Sequence, residues 1–133
     1  MTVALPLIEM HWGAYEGRTL VELRAGLGDG MAVNEARGLD FKPPGGESPR
    51  QVQVRVLAWL RRQAAAWSDG EAALVSHQGM LCALLALTIG WDMRGKPPVR
   101  WGFEGCAQLI PLDRTGGIAA VAHIIPLPAQ AGR

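Results

Sequence analysis

Two cysteines are all this chain has, Cys82 and Cys106, and their spacing is not that of metal ligands. That speaks against a disulfide-stapled scaffold and against a structural zinc site. An excess of charge of either sign is also lacking: 13 Lys and Arg stand against 12 Asp and Glu, a net of +1. Such a balance gives no electrostatic case for binding nucleic acid or an acidic membrane. The apolar run Met80 to Ile89 is too short to span a bilayer. The N-terminus lacks the basic region and apolar core of a secretory leader. There is no internal repeat and no low-complexity segment. These absences predict a cytoplasmic protein with reduced, buried thiols, no metal and no cofactor. What is present, 49% hydrophobic residues in 133, suits one domain that buries about two thirds of its unfolded surface.

The most informative stretch runs from Glu71 to Gly90. A short apolar run, Ala72 to Val75, is followed by Ser76, His77 and Gln78, a glycine at 79, and a second apolar run of helical length. Strand, polar turn, helix is the economical reading, with the strand buried on both faces. His77 then stands at the carboxyl end of a strand, where open α/β sheets place their ligands. The free N–H groups of the following helix point nearby, so a phosphate could be held there by His77 and the amides of Gln78 and Gly79. The spacing alone fits equally well a turn histidine without a ligand.

Two further stretches matter. Glu9-Met-His-Trp-Gly13-Ala-Tyr15-Glu16-Gly17 is loop-like, with aromatics between glycines. A lone glutamate reads as a surface carboxylate; a carboxyl among aromatics can instead keep a donatable proton near neutrality. Gly46-Glu47-Ser48-Pro49-Arg-Gln51 reads as a helix start: Ser48 as N-cap, Pro49 at the first helical position, Gln51 closing a capping box. The helix should run to about Trp67. Val52, Val56, Leu57, Leu60, Ala64 and Trp67 form its core stripe, with Trp59 at the margin. Arg50, Gln51, Arg55, Arg61 and Arg62 lie opposite as a solvated face.

Taken together, Val75-Ser-His-Gln-Gly79, the Glu9–Gly17 segment and Gly46-Glu47-Ser48 resemble the motifs of the histidine phosphatase superfamily, the phosphoglycerate mutase-like enzymes. Gln78 stands where a glycine is common. The resemblance implies a three-layer α/β/α fold with a mixed, mainly parallel sheet. It makes Glu9 the general acid that protonates the leaving alcohol and His77 a phosphate ligand, both catalytic. Gln78 and Gly79 become substrate-binding residues. It implies phosphomonoester hydrolysis through a phosphohistidine, or a mutase reaction, on a phosphorylated small molecule. Glu16 is expected to satisfy loop backbone, and Glu47 to fix the loop beside the site. His11 is expected to be an ordinary neighbour of Glu9, since Met10-His11-Trp12 lacks the Arg of the Arg-His-Gly nucleophile motif.

Elsewhere the reading is structural. Thr2 to Leu5 is predicted as a short strand ended by Pro6. Thr19 and Glu22 form a capping box for a helix whose Leu20, Leu23 and Leu27 share a face and which Gly28 ends. Asp29 to Pro44 is expected to be irregular apart from a helical turn at 33–37, and to cover a site. Arg37 and Lys42 read as solvated charge. Gly90 and then Pro97-Pro98 end the central helix. Trp91, Trp101 and Phe103 read as core or cover. Cys106 to Leu112 and Ile118 to Ile125 are predicted to pair as a β-hairpin about Asp113-Arg-Thr-Gly-Gly117, with Pro111 at an edge or bulge. His123 is expected in the core, and residues from Pro128 as a loose tail.

No Arg-His-Gly occurs in the 133 residues. Against the family pattern the chain therefore reads as an N-terminally incomplete single domain over 1–133, retaining Glu9 and His77 without the nucleophile and its clamping arginines. On that reading the chain alone is inactive as a phosphatase. The alternative is a catalytically inactive anion- or protein-binding relative. Loss of a neighbouring strand would leave Ala72–Val75 with an open edge. The expectation is that Thr2–Leu5 closes it, that a second copy does so as a homodimer, or that the chain is poorly soluble.

Overall fold

A computed structural model describes residues 3–67, 71–99 and 106–127. Local capping chemistry sets the helices. Thr19 Oγ1 accepts from Glu22 N at 3.2 Å and the Glu22 carboxylate accepts from Thr19 N at 2.7 Å, which starts α1, Leu20–Leu27. Only Leu23 of its three leucines is buried; Leu20 and Leu27 stay exposed. A second helix, α2, spans Asp29–Glu35. It begins directly after Gly28, earlier than the turn expected at 33–37.

Ser48 and Gln51 make the second box: Gln51 N donates to Ser48 Oγ at 3.3 Å, and Ser48 N to Gln51 Oε1 at 3.0 Å. Helix α3 follows, Pro49–Ala64, with a 3₁₀ turn over Ala65–Trp67. Val52, Val56 and Leu60 are fully or almost fully buried on it. Trp59 and Trp67 stack edge to face, 5.5 Å between centroids. Helix α4, Gln78–Ile89, is apolar nearly all round and correspondingly buried. The buried amide of Gln53 ties α3 to α4, donating to the carbonyl of Ala83 at 2.8 Å.

The core has two parts. Leu7, Met10, Val52, Val56, Leu60, Met80, Ala83 and Leu84 form the larger. Tyr15, Leu23 and Met31 form the smaller, and Trp12 and Phe41 pack against both.

Among the described residues the sheet is a two-stranded antiparallel one. Strands β1, Cys106–Leu109, and β2, His123–Pro126, pair with Cys106 opposite Pro126 and Leu109 opposite His123. A further bridge joins Leu112 to Ile118. The turn between them hangs on Asp113, whose Oδ1 accepts from Thr115 N and Oγ1, both at 2.7 Å, and from Gly117 N at 3.0 Å. The hairpin expected here is present. His123, expected in the core, is exposed, because it falls on the open face of a two-stranded ribbon.

Two expected strands are not formed. Ala72 to Val75 is in no strand and makes no backbone hydrogen bond among the described residues, and Val75 is 91% exposed. An apolar run becomes a buried strand only when neighbours pair with both its edges, and no described strand lies beside it. Leu5 is in a 3₁₀ turn over Leu5–Leu7, with Pro6 inside it, and Val3 and Ala4 are in no strand, so the described part of Thr2–Leu5 does not close the gap. The mainly parallel sheet is accordingly not seen among the described residues. Thr2, Trp101, Phe103 and the tail from Pro128 lie outside them.

Candidate active site

The Glu9 segment and the start of α4 meet. Because the first N–H groups of a helix have no partner within it, something else must accept from them. No side chain of His77, the N-cap residue, does so. Glu9 does. Its Oε2 accepts from Gly79 N at 3.1 Å, and its Oε1 from Met80 N at 3.1 Å and from its own neighbour Met10 N at 2.7 Å. A negative carboxylate at that end also suits the helix dipole. The fit needs a glycine at 79: a Cβ there would stand 2.4 Å from Glu9 Oε1.

This junction borders a cleft of about 1000 Å³, lined by Glu9, Gln78, Gly79 and Cys82 together with the aromatic side chains of Trp12, Tyr15 and Phe41. Phe41 sits between the other two rings, 6.1 Å from Trp12 and 6.3 Å from Tyr15 between centroids. Burial pushes the Cys82 thiol up to about 11, and the nearby charge of Glu9 adds to the effect. The structure thus brings Glu9, Gln78 and Gly79 onto one cleft. His77 immediately precedes them, but its side chain is exposed and is not part of the cleft lining. Among the described residues no group of three or more His, Cys, Asp or Glu gathers as for a metal ion.

The loops behind Glu9 interlock. Gly13 has φ +51°, and a Cβ on it would lie 2.3 Å from the carbonyl oxygen of Pro44. Without one, Ala14 N reaches that same oxygen at 2.9 Å. Glu47 N donates to the carbonyl of His11 at 2.8 Å, so the Gly46–Ser48 stretch grips the segment after Glu9. Glu16, expected to satisfy backbone, instead stands 3.3 Å from the imidazole of His11, both side chains exposed.

Arg55 was missed by the sequence reading. It is not a solvated arginine: its side chain is 23% exposed and forks onto Glu47, with Nε 2.8 Å from Oε1 and Nη2 3.1 Å from Oε2. It also donates to the carbonyls of Pro6, Ile8 and Glu9. The available signal was its place one turn before Trp59, on the flank of the buried stripe and not opposite it.

These observations fit the comparisons with known proteins. The model of the histidine phosphatase superfamily (branch 1) matches residues 2–123. The chain belongs to that superfamily. Two solved structures share its fold. One is a mycobacterial glucosyl-3-phosphoglycerate phosphatase, 22% identical with a TM-score of 0.66. The other is described as mycobacterial hydrolase 1, 21% identical with a TM-score of 0.64. Each match covers 97% of this chain and 65% of the other, so the chain spans about two thirds of these neighbours' length. No curated protein matches it.

Proposed function

We propose that this chain serves phosphomonoester hydrolysis, with His77 and the amide of Gln78 holding phosphoryl oxygens and Glu9 protonating the departing alcohol. The observation that supports this most is one of place: Glu9 lines the same aromatic-walled cleft as Gln78 and Gly79, the two residues that follow His77, and reaches the start of α4. Family membership supplies the reaction class. A neighbour named as a phosphatase favours hydrolysis over a mutase reaction and a phosphorylated small molecule as substrate. In this reading the phosphate-accepting histidine and the clamping arginines come from an Arg-His-Gly segment that the 133 residues do not contain. The same segment would supply the strand beside Ala72–Val75 and complete a three-layer, mainly parallel sheet. Pairing of two copies along that edge is the homodimeric alternative. A cytoplasmic location is part of the same proposal.

A second reading, a non-catalytic anion- or protein-binding relative, draws on the same missing motif. Hydrolysis of 4-nitrophenyl phosphate separates the two. The 133-residue chain should turn over negligibly, since loss of nucleophile and clamps removes several kcal/mol of transition-state stabilisation. A chain extended by whatever is encoded in frame upstream of Met1 should turn over, and Glu9→Gln in it should slow alkyl phosphates more than 4-nitrophenyl phosphate. Robust hydrolysis by the short chain, abolished by His77→Ala, would contradict the assignment of the nucleophile. An inactive extended chain would favour the binding relative.

A further inference from the structure

Backbone carbonyls outside regular structure must find donors elsewhere. In the segment from Pro6 to His11 four of the six do so through Arg55 of α3 and Glu47 just before it. Arg55 takes the carbonyls of Pro6, Ile8 (3.0 Å) and Glu9 (3.2 Å). Glu47 takes both groups of His11, its N–H donating to the carbonyl at 2.8 Å and its Oε2 accepting from His11 N at 3.4 Å. Arg55 and Glu47 are themselves paired, side chains 23% and 19% exposed. The carbonyl of Leu7 goes to Ser76 Oγ at 2.6 Å, just before His77. Glu9 is therefore held on both sides. Two residues from Arg55 on α3, Gln53 holds α4 through Ala83. One helix thus brackets both halves of the junction: the backbone of Glu9 and the helix whose amides receive its carboxylate.

We propose that Arg55, oriented by Glu47, is a positioning residue that sets Glu9 against the N-terminal amides of α4. Its catalytic meaning rests on the reading of Glu9 as proton donor; its structural content does not. A lysine cannot replace it. One ammonium cannot span a carboxylate and three carbonyls as a planar fork with five N–H donors does. Charge alone would therefore not restore the position of Glu9.

Gly79 and Met80 provide the readout. Both amides lie in the first turn of α4, where no intrahelical acceptor exists, and Glu9 is the acceptor they have. Their hydrogen exchange, measured by NMR on the 133-residue chain, reports whether Glu9 is in place. Leu85, deep in α4, reports the stability of the helix. Glu9→Ala gives the upper limit for loss of protection. Arg55→Lys, which keeps the charge, should speed exchange at Gly79 and Met80 by about ten-fold with Leu85 unchanged. Arg55→Ala should do the same or more. If Gly79 and Met80 keep their protection in Arg55→Lys, Glu9 does not depend on the fork. If Leu85 accelerates in parallel, Arg55 is a general stabiliser. Either result overturns the proposal. Failure of the phosphatase reading would leave this exchange pattern untouched, because it reports where Glu9 sits and not what it donates.

Discussion

The segments 6–17 and 71–77 are both without helix or strand beyond two 3₁₀ turns, yet they are held in opposite ways. In the first, Arg55, Glu47 and the Pro44 carbonyl engage the backbone at Pro6, Ile8, Glu9, His11 and Ala14. In the second, Ser76 gives a side-chain bond to Leu7, and among the described residues the backbone has no backbone partner until the carbonyl of His77 accepts from Leu81 N. The difference is one of partners. Side chains from a pre-formed helix can satisfy an irregular segment one carbonyl at a time. An apolar extended segment needs a whole neighbouring strand, and short of that its side chains remain in water.

The largest effect should come from the tight side. Gly13→Ala would force a Cβ into the Pro44 carbonyl at a positive φ, and should cost about 3 kcal/mol or more. Calorimetry would show this as a large drop in melting temperature; an unchanged one would mean that the two loops are not interlocked. Gly79→Ala should cost less, about 1–3 kcal/mol, by displacing Glu9 from two amides. It should also remove the effect of Glu9 on Cys82, so that the thiol, now pushed up to about 11, titrates at lower pH. Thiol titration that does not move would show Glu9 still in place.

On the loose side the expected effect is close to nothing. Val75→Lys, at a side chain 91% exposed, should change stability by no more than about 0.5 kcal/mol. It should reduce self-association in light scattering, since a charge on an open edge opposes pairing. A loss comparable to that of Gly79→Ala would show that the segment is packed in solution, and the contrast between the two regions would fail. The smallest effect belongs to the hairpin turn. The hydroxyl of Thr115, with the N–H groups of Gly117 and Thr115, holds the Asp113 carboxyl below the usual carboxylate range. A depressed folded value means the contribution is present above the unfolded pKa of about 3.9 and is lost as pH falls through the folded one. The Thr115 and Gly117 amide resonances should stay constant from neutrality down to about pH 4 and shift only below it. A midpoint above that value would contradict the turn geometry.

The same contrast explains what was legible in the sequence. Thr19 with Glu22, Ser48 with Gln51, and the Asp113 turn speak to residues within a few positions, and each was readable. The Glu9 and His77 motifs could be recognised, but not that the Glu9 carboxylate sits on the amides of Gly79 and Met80, seventy residues away. Arg55 was misread because a helical period says which flank a side chain occupies, not which carbonyls wait there. Ala72–Val75, expected as a buried strand, is unpaired among the described residues because an apolar run records a preference for burial, while burial itself depends on a partner strand that the run cannot specify. His123 shows the converse: hydrophobic neighbours on a strand do not bury it when one face of the ribbon is open.

In the function proposed above, Glu9 and the start of α4 form one anion-handling site. Titration of inorganic phosphate into the ¹⁵N-labelled chain tests it directly. The amides of Gln78 and Gly79 should shift in a saturable way, more readily in Glu9→Gln, where a competing negative charge is gone, and not in His77→Ala. Thr115 and Gly117, in the hairpin turn, should not move. Phosphate shifts that leave the start of α4 untouched, or that persist unchanged in His77→Ala, would mean that phosphate is not held there by His77.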